Sequence, residues 1–189
     1  FKTTPYRDVA DFRINSMLEY EKKLNLNDPK VYKDFYNEIG KLREQKKNNK
    51  WIVYGNGTNS FIQPKKALDC GNSGTTTRLI TGLLSGQNIN AKLIGDNSLS
   101  SRPMNRIIHP LNLMDAKIIS KNSHLPIQLQ NNSLIGIDYV IPIASAQIKS
   151  CLILAGLGAK SKSKFTELQK TRDHSEILLT NIGAELTVE

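Results

Sequence analysis

The sequence predicts an α+β fold assembled from repeated βαβαββ-type units, and three observations carry that expectation. From Lys50 onward, short runs of β-favouring residues alternate with longer apolar stretches of helical length. Two of the helical stretches, GTTTRLITGLLSG and SAQIKSCLILAGLG, begin just after a strand on small hydroxyl and amide residues. The same order then recurs at an interval of roughly 70 residues, the length of one supersecondary unit in a repeat architecture. Setting Ser73 against Ser145 brings Gly86 against Gly158 and Leu93-Ile94 against Phe165-Thr166, and Arg102 answers Arg172. A helix, a strand, an Arg-led helix and a strand occurring twice fit a repeated design better than a doubly wound sheet.

Taken in order, residues 1–47 form a polar segment without a chemical motif, and residues 48–189 form the main domain. In the first segment DVADFRINSMLEYEKKL and DPKVYKDFYNEIGKLREQKK read as two helices. Val31, Phe35, Ile39 and Leu42 make an amphipathic stripe, and Asp28-Pro29 suits a helix entry. WIVYG is a strand ended by the turn NGTN, forming a hairpin with the residues after that turn. GTTTRLITGLLSG is a helix closed by Gly86, and INAKLIGD a strand. RPMNRIIHPLNLMD starts a helix near Pro103, with a kink or break implied at Pro110. AKIIS, PIQLQ and IDYVI are strands, SAQIKSCLILAGLG a helix, KFTELQ a strand and DHSEILLTNIG a helix leading into AELTVE.

With 39% hydrophobic residues the chain can bury a core, yet no apolar run approaches the roughly 20 residues of a membrane span. The opening FKTTPYRDVADF carries charges where a signal peptide needs its apolar stretch, so a cytoplasmic protein without a membrane partner is expected. Cys70 and Cys151 lie in apolar surroundings, and His109, His124 and His174 are scattered, which argues against a metal site. The net charge is +9, of which residues 1–50 supply +4. It is spread along the chain, dominated by Lys, and aromatics are only 6%, unlike the Arg-rich stripe with interleaved aromatics more usual in a nucleic-acid binder. Nucleic acid is therefore not the expected partner, and an anionic small substrate explains the charge equally well.

Four turns carry the chemistry. In Asp69-Cys70-Gly71-Asn72-Ser73-Gly74-Thr75-Thr76-Thr77-Arg78 two glycines and several small polar residues join a strand to a helix start. The unpaired N–H groups and dipole of such a start favour phosphate or carboxylate, and glycine allows the ligand near the backbone. It is not a Walker loop, because no GxxxxGK[ST] is present. In Gly95-Asp96-Asn97-Ser98-Leu99-Ser100-Ser101-Arg102-Pro103, Arg102 stands beside a helix-starting proline, placed either for a bidentate anion contact or for a surface ion pair. Ser145-Ala146-Gln147 opens the second long helix, with Ser145 also readable as a plain N-cap. Thr171-Arg172-Asp173-His174 closes the set, where Asp173 can cap a helix while Arg172 is solvated. No nucleophile–base pair stands out, which suggests substrate holding rather than complete catalysis.

DCGNSGTTTRL, GDNSLSSRPM, ASAQIKSCLILAGL and TRDHSE, in this order from about Trp51 to Glu189, resemble the enolpyruvyl transferase family of 3-phosphoshikimate 1-carboxyvinyltransferases, the EPSP synthases. The resemblance implies an inside-out α/β barrel (an alpha-beta prism), with helices inside and small sheets outside. It also implies enolpyruvyl transfer from phosphoenolpyruvate to the 5-hydroxyl of shikimate 3-phosphate, in the shikimate pathway of aromatic amino-acid biosynthesis, with no metal or organic cofactor. By the same resemblance Asn72, Gly74, Arg102 and Gln147 face phosphoenolpyruvate. Ser145, Ala146, Gln147, Thr171 and Arg172 hold shikimate 3-phosphate. Nothing in residues 1–47 matches the family's opening Lys-Ser…Arg turn, and the family's proton-handling groups belong to a second domain. The expectation is that catalytic residues lie in that complementary domain and that this chain alone does not turn over. Alternative readings are a UDP-N-acetylglucosamine enolpyruvyl transferase-like enzyme, or a non-catalytic or RNA-phosphate-binding module on the same fold.

Overall fold

The computed structural model describes residues 61–189 apart from Asn131, together with the backbone of two earlier strands. Those strands, β1 (Arg43–Lys47) and β2 (Lys50–Tyr54), pair antiparallel with Arg43 opposite Tyr54 and Lys47 opposite Lys50. This corrects two expectations. The end of the second predicted helix, REQKK, is a strand, and WIVYG pairs with this strand before it rather than with residues after its turn. The charged pentapeptide reads locally as a solvated helix end, but pairing against an apolar β-branched strand overrides that weak preference. The first predicted helix, the stripe from Val31 to Leu42 and the turn NGTN lie outside the described residues.

After these comes one full βαβαββ unit. It runs β3 (Leu68–Asp69), α1 (Gly74–Gly86), β4 (Ala91–Ile94), a short α2 (Asn97–Ser100), α3 (Asn105–Leu113), β5 (Lys117–Lys121) and β6 (His124–Gln130). The four strands form one sheet in the order β3-β4-β6-β5, with β3 parallel to β4 and the other pairs antiparallel. Asn122 and Ser123, both at positive φ, make the tight β5–β6 turn, and the Ser123 carbonyl accepts from Met104 N–H at the start of α3. A second unit repeats the opening of the first: β7 (Asp138–Ile141), α4 (Ala146–Gly156), β8 (Lys164–Glu167) and α5 (His174–Asn181), with β7 parallel to β8. The closing residues AELTVE carry no strand, so the second repeat is matched only through its Arg-led helix.

Alternation on the strands places one face inward. Leu125, Ile127 and Leu129 of β6 are buried while Pro126, Gln128 and Gln130 are exposed, and Lys92 and Lys117 lie on the same outer side. Helix α4 is buried nearly all round, from Ile148 to Ile153 and again at Ala155, as a helix interior to the domain must be. Helices therefore sit inside and small sheets outside, as the inside-out arrangement requires, and no sheet among the described residues closes into a barrel. Two further details differ from the sequence reading. Helix α3 runs on through Pro110 without a break, and α1 is stopped by Gln87 and by Asn88 at positive φ rather than by Gly86. Gly86 serves packing instead.

The repeat has a physical counterpart in the pairing of α1 with α4. A Cβ on Gly82 would come within 2.1 Å of the Cys151 carbonyl oxygen, and one on Gly158 within 1.8 Å of the Gly86 carbonyl oxygen. The two glycines matched by the sequence repeat thus touch. At the other end, Gln147 of α4 reaches Thr75 of α1. The helices consequently run in the same direction with their backbones in contact. Ser73 and Ser145 each cap their helix, accepting from Thr76 N–H and Ile148 N–H.

Burial pushes the Cys70 thiol up to about 11 and the Cys151 thiol up to about 12, so both stay protonated and unreactive at neutral pH. A methyl group at position 158 cannot be accommodated without separating α1 from α4. Gly158→Ala should lower stability by roughly 1–3 kcal/mol, the usual range for overpacking a filled interior. Chemical denaturation monitored by circular dichroism measures it, and an unchanged midpoint would contradict the close helix contact.

Candidate functional site

The site forms where the N-terminal ends of α1 and α4 meet the turn after β4. Each helix start leaves its first N–H groups without intrahelical partners: Gly74 and Thr75 on one, Ala146 and Gln147 on the other. Two like-directed dipoles side by side concentrate positive potential there, each equivalent to roughly half a charge at its end. The turn leading into α1 is shaped by Gly71 at φ +54°, whose carbonyl accepts from Asp96 N–H at 2.9 Å. That bond sets the Gly71–Gly74 turn beside the Gly95–Arg102 turn. Asp96 caps α2 through Leu99 N–H at 2.7 Å and accepts from the Asn72 amide at 2.6 Å.

Arg102 is held on this platform. Its Nη2 donates to the Asn72 Oδ1 at 2.6 Å and to the Ser98 hydroxyl at 3.3 Å, while its Nη1 donates to the Asn72 carbonyl at 3.3 Å. Asn72 is thereby used at both ends of its amide, which fixes its orientation. A second guanidinium approaches from α1: Arg78 Nη1 donates to Gln147 Oε1 at 2.9 Å and to the Gly74 carbonyl at 3.2 Å. Gln147 in turn donates to the Thr75 hydroxyl at 2.8 Å. Both guanidinium tips lie over Gly74, where an added Cβ would meet Arg78 Nη1 at 2.8 Å and Arg102 Nη1 at 3.4 Å.

The charges are not balanced locally. Burial lowers the Arg78 pKa from its ordinary value, and the Arg102 and Arg106 charges lower it further. Among the described residues no carboxylate lies within ion-pair distance of Arg78, Arg102 or Arg106. A cluster of cations at two helix N-termini, with preset donors and no ion-paired carboxylate among the described residues, has the features that favour an anion.

The residues singled out from sequence divide into two groups. Asn72, Gly74, Arg102 and Gln147 are brought together directly. Ser145 is the N-cap of α4 and Ala146 its first residue, adjoining Gln147. Thr171 and Arg172 lie on the turn between β8 and α5, and the Thr171 hydroxyl donates to Glu167. Asp173 stands at the N-cap of α5 but makes no side-chain cap bond. Sequence reasoning missed Arg78, Thr75 and Asp96. A charged residue four places after Gly74 on an apolar helix was the available signal for Arg78, since that spacing returns it to the face of the glycine turn.

Comparisons with known proteins place the chain by sequence and by fold. Residues 17–189 match the family described as EPSP synthase (3-phosphoshikimate 1-carboxyvinyltransferase), so the match begins inside the segment that the motifs left unassigned. A 3-phosphoshikimate 1-carboxyvinyltransferase of Syntrophomonas wolfei is 51% identical over 138 residues, covering 72% of this chain and 32% of the relative. One from Coxiella burnetii is 54% identical over 129 residues, covering 68% of this chain and 30% of the relative. The solved structure of EPSP synthase from Acinetobacter baumannii superposes with a TM-score of 0.78 at 37% identity, over 84% of this chain and 36% of that one. The chain spans about a third of the length of the curated relatives it matches.

The Asp96 carboxyl lies below the usual carboxylate range, chiefly through the Leu99 N–H and then the Asn72 amide, with the Arg102 charge adding to them. A depressed folded value means the contribution is present above the unfolded value of about 3.9 and is lost as pH falls through the folded one. The Asn72 side-chain and Leu99 backbone resonances should therefore hold constant from pH 8 to pH 5 and move only below the ordinary range. A midpoint at or above it in a two-dimensional NMR titration would refute the arrangement.

Proposed function

The chain belongs to the EPSP synthase family, and from that premise we propose that it supplies the substrate-gripping part of an enzyme that moves the enolpyruvyl group of phosphoenolpyruvate onto the 5-hydroxyl of shikimate 3-phosphate. The observation that carries this reading is the convergence of Arg78 and Arg102 over Gly74, beside the N-termini of α1 and α4, with neither guanidinium ion-paired among the described residues.

Both substrates carry a phosphate and a carboxylate, so bringing them together sets like charges against one another. At 4 Å two unit charges repel by about 4 kcal/mol at an effective dielectric constant near 20. Fixed guanidinium groups and helix N-termini offset that repulsion without reorganising when the ligands arrive. Asn72, Gly74 and Arg102 form the phosphoenolpyruvate side of the site. Ser145, Ala146, Thr171 and Arg172 form the phosphoshikimate side. Gln147 stands between them, tied to Arg78 and Thr75. The donors and cations of this chain bind and orient; proton transfer is assigned to the complementary domain of the whole enzyme. The cytoplasm is the proposed location, and no described helix is long and apolar enough to cross a membrane. The family matches do not favour a UDP-N-acetylglucosamine-dependent enzyme or an RNA-phosphate module.

Titration of the chain with shikimate 3-phosphate and with phosphoenolpyruvate, followed by thermal shift and calorimetry, tests the reading. Stabilisation by both ligands is expected at millimolar concentration. Arg102→Ala should weaken phosphoenolpyruvate by at least roughly tenfold, the equivalent of one charge-assisted hydrogen bond, and Gln147→Ala should weaken both ligands. A folded chain whose melting is unmoved by either ligand would sink the proposal.

A further inference from the structure

Lys149 is only 6% exposed, on the buried side of α4 beside Ser150, and the helix-start cluster does not use it. Its ammonium pairs with Glu167 at 2.7 Å and with Glu176 at 2.5 Å. Burial opposes its charge, but the two carboxylates outweigh burial and raise its pKa, so it stays charged. Such a cluster is poor at stabilising a fold, because desolvating three charges consumes most of their attraction. Here one ammonium serves two carboxylates, and the buried Glu176 Oε2 has no hydrogen-bond partner. Packing alone gives no reason for the arrangement.

Its connections do give one. Lys149 lies one helical turn beyond Ser145, whose carbonyl accepts its N–H at 3.1 Å, and two residues beyond Gln147. Glu167 ends β8, and Glu176 lies in the first turn of α5, so the ammonium spans both ends of the segment 168–173. Glu167 then closes that segment on itself, accepting from the Thr171 hydroxyl and, at 3.5 Å, from the Thr171 N–H. The Ser150 and Ser175 hydroxyls add a second tie between α4 and α5 at 2.6 Å. Arg172 is the next residue after Thr171 and is exposed.

We propose that Lys149 is a positioning residue: through Glu167 and Thr171 it sets where Arg172 stands relative to the Ser145–Gln147 helix start, for a phosphate-bearing hydroxy acid. Thr171 is then a link in the tether, its hydroxyl held by Glu167 at the edge of the phosphoshikimate side. The inference rests on the proposed substrate-gripping function, which assigns Arg172 to the phosphoshikimate side.

Lys149→Met in the 189-residue chain tests it in two measurements. By NMR relaxation, the backbone order parameters of Thr171 and Arg172 should fall from about 0.85 to below about 0.6, while Asp96–Arg102 keep their wild-type values. By calorimetry, shikimate 3-phosphate should weaken about as much as in Arg172→Ala, with phosphoenolpyruvate changed less than about twofold. Combining the two substitutions should cost nothing beyond Arg172→Ala alone. Should Lys149→Met fail to fold, Thr171→Val leaves both ion pairs intact and should reproduce the loss, with Thr171→Ser restoring wild-type behaviour. Unchanged order parameters at Thr171 and Arg172, or a binding loss additive with Arg172→Ala, overturns the tether. If the wild-type chain binds no shikimate 3-phosphate while the order parameters fall as expected, the functional reading fails and the tether is shown without its ligand.

Discussion

Two buried helices, Gly74–Gly86 and Ala146–Gly156, run in the same direction with backbone against backbone, and the site exists because they do. Side-by-side parallel dipoles repel, so the pairing has to be held by something else. Glycines at 82, 86 and 158 supply it by letting carbonyl groups approach where any Cβ would collide. The surrounding interior, from Leu68 and Leu93 on the sheet side to Leu152 on α4, is one continuous apolar cluster. Its burial outweighs the dipole repulsion, each fully buried Leu contributing about 1.5–3 kcal/mol. What the dipoles cost the empty protein they return when an anion settles between the two helix starts.

The same contact explains why the site is built from distant parts of the chain. Gln147 reaches Thr75 and Arg78 across 72 and 69 residues of sequence. It can do so only because the two helices begin at the same level. Arg102 arrives by another route, through the Gly71 carbonyl and Asp96, which join the turns after β3 and β4. Each repeat thus presents a helix start at one place, and the first adds an arginine held by the Asn72 side chain and carbonyl and by Ser98. In the second repeat the buried Lys149 cluster is tied to Thr171, the neighbour of its arginine.

Much of this was legible in the sequence, for physical reasons that differ from element to element. The helices and most strands announce themselves through period and through small polar residues at helix starts. The match of Gly86 with Gly158, read in sequence only as a mark of the repeat, proves in the structure to be a contact between the two helices. Gly86 nonetheless misled as a stop signal, since a glycine needed for close approach looks in sequence like one needed for a left-handed turn. Arg43–Lys47 misled because strand pairing is a tertiary decision that five charged and polar residues do not advertise. Asn72, Gly74, Arg102 and Gln147 could be singled out because their motifs hold polar residues in consecutive positions, and the fold brings these four together. Arg78, Asp96 and Lys149 were passed over because their roles lie in what they touch across the fold.

That difference bears on how the two sides of the site work. On the proposed phosphoenolpyruvate side the cations donate to preset neutral acceptors, the Asn72 and Gln147 side-chain oxygens. On the other side the buried cation is spent on two carboxylates, and Glu167 lies below its ordinary pKa because Lys149 and Thr171 outweigh the opposing effect of burial. Such a pair cannot also bind an anion, so its contribution to function has to pass through the segment it anchors. A cation without an ion pair among the described residues and a cation with two are therefore different parts of the proposed device: in it the first meets the substrate, and the second fixes the backbone that carries Arg172.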